Sequence, residues 1–259
     1  ERLYSQMPNA YKKTGLLFAH SNDYQEEWIQ DIKNLNRDDL FQILEKKDMK
    51  KLYGFASDGL LVKKGGYLFP KLICQEMTTH PNIKIIFNHC FHKWSRRDGK
   101  LDIEFLNQKR KCNFDDLIIA NGPSLEEILS GLKISKGQLV GLKGEQSINL
   151  DLPLNSAGYI LPKVNNITWI GSSHEKDYED LNICYEIGKD LVKRIDKNFK
   201  IKLAGASNML MEARLRTGSK DRLPLAGKID ENVYAIGALG SRGFSLGPLL
   251  GEYISSLIN

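Results

Sequence analysis

The chain has 259 residues, enough for one large domain or two intermixed lobes. Its 41% apolar and 27% charged residues exclude disorder as the main state, and no apolar run reaches transmembrane length. With 37 Lys and Arg against 32 Asp and Glu the net charge is +5, which permits a nucleic acid partner without demanding one.

The cysteines Cys74, Cys90, Cys112 and Cys184 form no CxxC pair and are too few to staple a chain of this length, so they read as free thiols in a reducing cytoplasm. The opening ERLYSQMPNAYKKTG is neither a signal peptide nor an initiator methionine, and reads as the start of a fragment or a processed piece.

In chain order, residues 16–20 (LLFAH) predict a short strand and 23–35 a helix, with Trp28, Ile32 and Leu35 on one face and Asn22 as cap. A second helix is predicted over 38–46 with Leu40, Ile43 and Leu44 inward. LLVKKGGYLFP reads as strand, turn and strand, and Pro70 opens the helix KLICQEMTTH. The segments IKIIFNHCFHKWS and KLDIEFLN flank Asp98-Gly99 as a hairpin. Leu117 to Ala120, an apolar run that stops at Asn121-Gly122, suits a buried strand of a parallel sheet. Strands follow in QLVGLKGEQS, AGYILPKV and ITWIGSS. Residues 178–198 predict an amphipathic helix with Leu181, Cys184, Ile187, Leu191 and Ile195 on its stripe. The tail predicts a strand, a glycine-rich loop and a final helix starting near Leu246, with Leu249, Leu250, Tyr253, Ile254 and Leu257 as its buried face. The pattern is α/β with mixed sheets, and its lobes are woven together rather than strung in series.

Several constellations can carry chemistry. Gly237, Gly240, Gly243 and Gly247 lie between a strand and a helix, where missing side chains let a flat ring or a phosphate approach the backbone and the helix start supplies partial positive charge. Arg242 adds a full charge. The spacing is not GxGxxG, and the same glycines also suit a tight turn where helix meets sheet. In EARLRTGSKDRLPLAG, Arg214 and Arg216 share a strand face and can capture a carboxylate in two-point fashion, or can simply be solvated. Tyr159 opens a strand and is either a cavity hydroxyl or a satisfied core tyrosine. Cys90 and His92 in NHCFH make half a metal site with no second ligand pair, so no metal is expected. Lys46, Lys47, Lys50 and Lys51, Lys63 and Lys64, Arg96 and Arg97, and Lys109 to Lys111 form basic clusters that steer a nucleic acid if several meet on one surface.

The order GGYLFP, LIIANG, GQLVGLKGEQS, GYILP…ITWIGSSHE, EARLRTGSKDRLPLAG and YAIGALGSRGFSLGPLLGEYI resembles the glycine oxidase/D-amino acid oxidase family of FAD-dependent oxidoreductases, from about Gly15 to the end. Within it the likeness is to the oxidoreductase part of bifunctional enzymes that modify the wobble uridine of tRNA. The resemblance implies a Rossmann-like FAD lobe at 66–135 and 218–259, without its N-terminal βαβ unit and GxGxxG turn, interwoven with a mixed-sheet substrate lobe at 1–65 and 136–217. It implies that Asn121, Gly122, Gly240, Ser241, Arg242, Gly243, Phe244 and Ser245 lie against FAD, and that Arg216 and Tyr159 hold a substrate carboxylate. The implied activity is oxidative removal of the carboxymethyl group from carboxymethylaminomethyl-uridine in tRNA, giving aminomethyl-uridine and glyoxylate in the cytoplasm. A free glycine or sarcosine oxidase, and a flavin-free non-catalytic fragment, are the alternatives.

Overall fold

The computed structural model describes residues 3–19, 30–55, 57–144, 150–199 and 209–258. The early strands are β1 (Tyr11–Lys12), β2 (Leu16–Ala19), β3 (Phe41–Leu44), β4 (Gly59–Val62) and β5 (Tyr67–Leu68). Then come β6 (Phe91–Arg97), β7 (Lys100–Phe105), β8 (Gln108–Phe114), β9 (Leu117–Ile119), β10 (Lys133–Lys143), β11 (Leu154–Asn155), β12 (Tyr159–Ile160) and β13 (Ile167–Gly171). The last strands are β14 (Met209–Gly218), β15 (Leu225–Asp230) and β16 (Val233–Gly237). Among the described residues, the α-helices with defined bounds are α1 (Lys46–Tyr53), α2 (Pro70–Thr78), α3 (Tyr185–Phe199) and α4 (Gly243–Ile258). The chain divides into two compact units, Glu1–Met77 with Lys136–Arg214, and Thr78–Ser135 with Leu215–Asn259.

The first unit is built on a mixed sheet of order β14-β10-β13-β12-β11-β2-β4-β3, in which β11 runs parallel to β2 and its other described pairings are antiparallel. Alternation along these strands sends Leu17, Val140, Leu142, Leu154, Ile160 and Ile170 into one core. Helix α3 closes that core with Leu191, Val192 and Ile195 at spacings that put them on one face.

The second unit holds two smaller sheets. The antiparallel β6-β7-β8 meander turns at Asp98 (φ 50°) and Gly99 (φ 75°), a pair of left-handed residues of the kind a two-residue hairpin requires. The other sheet has the order β15-β16-β9, and β9 runs parallel to β16 with Ile119 opposite Ala235. Leu101, Ile119, Leu125, Val233 and Ala235 form the core of this unit.

Several expectations are corrected. Residues 38–46 are not a helix: 41–44 pair with β4 as an antiparallel strand, because Ile43 and Leu44 gain sheet neighbours that a short helix rich in charge would not offer. The helix begins only at Lys46. Residues 178–184 are not helical, and Leu181 and Cys184 are exposed. Residues 83–87 form no strand, and Ile83, Ile85, Ile86 and Phe87 are exposed. In α4 only Ile254 is fully buried, whereas Leu249 is 61% exposed and Tyr253 and Leu257 are exposed too. β9 is parallel as expected, yet Ile118 is 49% exposed, so only one of its faces is covered. Most of the helix expected over 23–35, with Asn22 and Trp28, lies outside the described residues; 30–34 are helical.

The hairpin is fastened within the second unit by Asp230. One of its carboxylate oxygens accepts from the Trp94 indole N–H at 3.2 Å and the other from the Glu231 N–H at 2.7 Å, with the Arg96 guanidinium 3.4 Å away. These donors, the indole first, hold the Asp230 carboxyl below the usual carboxylate range. A depressed folded-state value means the stabilisation is present above the unfolded pKa and is lost as pH falls through the folded one. Trp94→Phe is therefore predicted to raise the Asp230 pKa toward the ordinary value of about 3.9 in a carboxyl NMR titration; an unchanged titration contradicts this assignment of the cause.

Candidate functional site

Parallel strands place loops at their carboxyl ends side by side, which is where open α/β sheets bind ligands. In the second unit β9 and β16 do this. β9 runs out into Asn121 and Gly122 (φ 62°), and β16 runs out into Ala238 (φ 56°), Leu239 and Gly240 (φ 57°) before α4 begins at Gly243. Gly237 lets the turn after β9 pack close, since a Cβ there would sit 2.4 Å from the Leu125 side chain.

The glycine turn is fastened from three sides. The Gly240 N–H donates to the Thr217 carbonyl at 2.8 Å, and Gly218 bridges Leu239. The Arg242 guanidinium donates to the Arg222 carbonyl, the Arg242 N–H donates to the Leu239 carbonyl at 2.9 Å, and the Ser245 hydroxyl donates back to the Arg242 carbonyl at 3.0 Å. Ala238 is only 2% exposed and sits in the left-handed region, where a side chain costs roughly 1–2 kcal/mol. Such strain persists only where surrounding contacts over-determine it.

Two features of this corner suit a bound group. A Cβ added at Gly240, Gly243, Gly247 or Gly251 would meet nothing within 4 Å, so the turn and a stripe of α4 present bare backbone to open space. Beside them, among the described residues, the Thr217 hydroxyl has no hydrogen-bond partner although the residue is 8% exposed, and the Asn121 side-chain oxygen is also buried without one. An unsatisfied buried polar atom costs about 1–3 kcal/mol unless something fills it. The start of α4 adds the partial positive charge of a helix N-terminus.

Asn121, Gly122, Arg216, Gly240, Ser241, Arg242, Gly243, Phe244 and Ser245 all fall in the second unit. Arg216 is half-buried and immediately precedes Thr217, whereas Arg214 is exposed and pairs with Glu212 at 3.7 Å. Tyr159 falls in the first unit, half-buried on β12 opposite Gly171. Its ring occupies the space a side chain at 171 would take, since a Cβ there would lie 2.1 Å from it. Sequence reading missed Thr217 and Ala238, and the only signal was their position between Arg216 and Gly218 and between Gly237 and Gly240. Among the described residues no group of His, Cys, Asp and Glu stands together as a metal site, and no helix is long and apolar enough to cross a membrane.

This combination of a mixed sheet, a small parallel unit and a glycine turn leading into a terminal helix defines a class. The chain belongs to the FAD dependent oxidoreductase family, DAO, whose model matches residues 2–257. Its relatives make the placing narrower. It is 26% identical over 289 residues to the tRNA 5-methylaminomethyl-2-thiouridine biosynthesis bifunctional protein MnmC of Campylobacter jejuni subsp. jejuni serotype O:2, covering 100% of this chain and 44% of that protein. The protein of the same name from Idiomarina loihiensis is 27% identical over 209 residues, covering 77% and 34%. The chain thus spans less than half the length of these curated relatives. Its fold is that of glycine oxidase from Geobacillus kaustophilus (TM-score 0.82, 14% identity, 99% of this chain and 74% of that one) and from Bacillus cereus (TM-score 0.80, 17% identity, 99% and 78%).

The residues present fit a flavin: a Cβ-free cradle, two unanswered buried polar atoms and a helix N-terminus lie in one unit. Two substitutions test the geometry without ligand. Gly247→Ala is predicted to raise stability by up to about 1 kcal/mol, because a helical glycine is replaced where nothing stands in the way. Thr217→Val, which removes the orphaned hydroxyl at constant shape, is predicted to raise it by about 1 kcal/mol. A fall in the urea midpoint for either contradicts the open cradle or the unfilled hydroxyl.

Proposed function

We propose that this chain is the oxidoreductase part of a tRNA wobble-uridine-modifying enzyme, and that it removes the carboxymethyl group of carboxymethylaminomethyl-uridine to leave aminomethyl-uridine and glyoxylate. The observation that carries the reading is the match over the whole chain to the C. jejuni protein, on a fold shared with glycine oxidases. Both substrates, the modified uridine arm and glycine, contain an amine one carbon away from a carboxylate.

The family's cofactor is FAD, and Asn121, Gly122 and the turn from Gly240 to Ser245 are the residues proposed to hold it. When bound, it supplies a two-electron acceptor for the hydride on the carbon between amine and carboxylate. The remaining work belongs to the chain. Arg216 is proposed to pair with the substrate carboxylate, and Tyr159, held in place over Gly171 in the first unit, is the second residue that the family resemblance assigns to the substrate. Holding that carboxylate fixes which carbon loses its hydride. The amine loses a proton, the resulting C=N bond is hydrolysed by water, and the uridine keeps the amine while glyoxylate departs. Bare backbone at the glycine turn lets a flat ring seat closely, and the positive end of α4 favours added negative charge on it.

The test is nucleoside mass spectrometry of tRNA bearing carboxymethylaminomethyl-uridine after incubation with the protein and FAD. The expected result is conversion to aminomethyl-uridine with glyoxylate released. Turnover of free glycine or sarcosine with the tRNA untouched would overturn the reading in favour of a small amino acid oxidase. A charge-assisted pair of this kind is worth ~1.5–3 kcal/mol, so Arg216→Ala is predicted to lower kcat/KM about ten- to a hundredfold; unchanged turnover removes Arg216 from the site.

A further inference from the structure

Helix α1 has the sequence KKDMKKLY. Met49 is fully buried beneath it, while Lys46, Lys47, Lys50 and Lys51 are exposed. Lys47 pairs with Glu45 at 3.0 Å, but Lys46, Lys50 and Lys51 make no ion pair among the described residues. In the other basic clusters whose side chains are described, most cations have an acidic partner. Lys64 lies 3.8 Å from Asp39, Lys63 donates to the Asp38 carbonyl at 2.7 Å, Arg96 meets Asp230 and Glu231, and Arg97 meets Asp102 at 3.3 Å. Among the basic clusters whose side chains are described, α1 is thus the one that holds three lysines without an ion pair.

Beside the last turn of α1, within the same unit, lies a cavity of about 200 Å³ whose lining includes Leu17, Leu52, Tyr53, Phe55, Asp151 and Leu154. Leu17, Phe55 and Leu154 are buried, and Leu52, directly after Lys51, is 60% exposed. Asp151 is the charged residue of the lining and is exposed. The space is below the range of drug-sized pockets, and its aromatic and aliphatic walls suit one planar ring. The Asp151 carboxylate can accept from a ring N–H or an exocyclic amine. Lysines that lack acidic partners, set against a ring-sized apolar pocket, complement a polyanion that carries flat heterocycles, which is the chemistry of single-stranded nucleic acid.

We propose that α1 and this cavity form an RNA-docking site. Lys46, Lys50 and Lys51 hold backbone phosphates, and one unstacked base enters against Tyr53 and Phe55 with Asp151 at its edge. The proposal rests on the reading that the substrate arm is carried by tRNA, and adds the surface that carries it.

The test uses a synthetic anticodon stem-loop RNA with 4-thiouridine in its loop, titrated at several salt concentrations against the full chain. A triple variant, Lys46→Ala with Lys50→Ala and Lys51→Ala, is compared with Lys189→Ala, Lys193→Ala and Lys197→Ala on α3, which removes the same charge elsewhere. The expected outcome is a salt slope reduced by about 2, near 0.7 per lost contact to a single strand, with affinity down roughly ten- to a hundredfold, and a much smaller loss in the α3 variant. Crosslinks from 4-thiouridine are expected on the peptides holding Leu52–Phe55 or Leu150–Leu154. If the wild-type chain binds the RNA but both triple variants bind alike, or the crosslinks map elsewhere, the docking site is overturned and the tRNA reading survives. If the wild-type chain does not bind the RNA at all, the tRNA reading and the docking site fall together.

Discussion

A single backbone hydrogen bond, from the Gly240 N–H to the Thr217 carbonyl, sets the shape of the candidate site. It ties the end of β14 to the turn that leaves β16, and the Gly218–Leu239 bridge continues the tie. With the turn held there, Ala238 and Gly240 are forced into left-handed backbone, α4 starts at Gly243, and its glycines point no side chain into the space beside the turn. Strain at a buried alanine and an unanswered hydroxyl at Thr217 are both unfavourable in the isolated chain. A bound group that satisfies the hydroxyl and covers the bare backbone would offset both, which is why this corner, rather than the larger sheet of the first unit, is read as the cofactor seat.

The two units divide the physical tasks. The first gains its stability from a broad sheet packed on α3, with Val140, Ile160, Ile170 and Ile195 completely buried. That leaves its periphery, α1 above all, free to carry charge that contributes nothing to the core. The second has a smaller core and relies more on polar fastenings: Asp230 between Trp94 and Arg96, and Arg242 on the Arg222 carbonyl. Family membership supplies the redox chemistry; these particular contacts say how this chain arranges its own residues for it.

Much of the fold was legible because local chemistry agreed with tertiary structure. Asp98-Gly99 demanded a tight hairpin turn, Pro70 opened α2, and the apolar run before Asn121 announced a parallel strand. The failures share a cause: the period of apolar residues was read without knowing which neighbours would cover them. Leu40, Ile43 and Leu44 fit a helical face, but pairing with β4 satisfied the backbone and the side chains of 41–44 together. Leu181 and Cys184 were in phase with α3, yet the helix starts only at Tyr185. Leu249 and Tyr253 were in phase with Ile254, yet remain exposed. At the site, the glycine spacing was visible in the sequence, but Thr217 was not, because an orphaned hydroxyl is a property of what surrounds it. The roles proposed for Arg216 and Tyr159 rest on family resemblance rather than on spacing.

The most direct measurement is titration of the purified chain with FAD, followed by flavin fluorescence and visible absorption, in the wild type and in Gly247→Val, where a branched side chain would fill the bare stripe of α4. The account predicts saturable binding to the wild type, with perturbed flavin bands, and its loss in a variant that still folds. Equal binding by both proteins, or no binding by either, would contradict a flavin seat at the glycine turn.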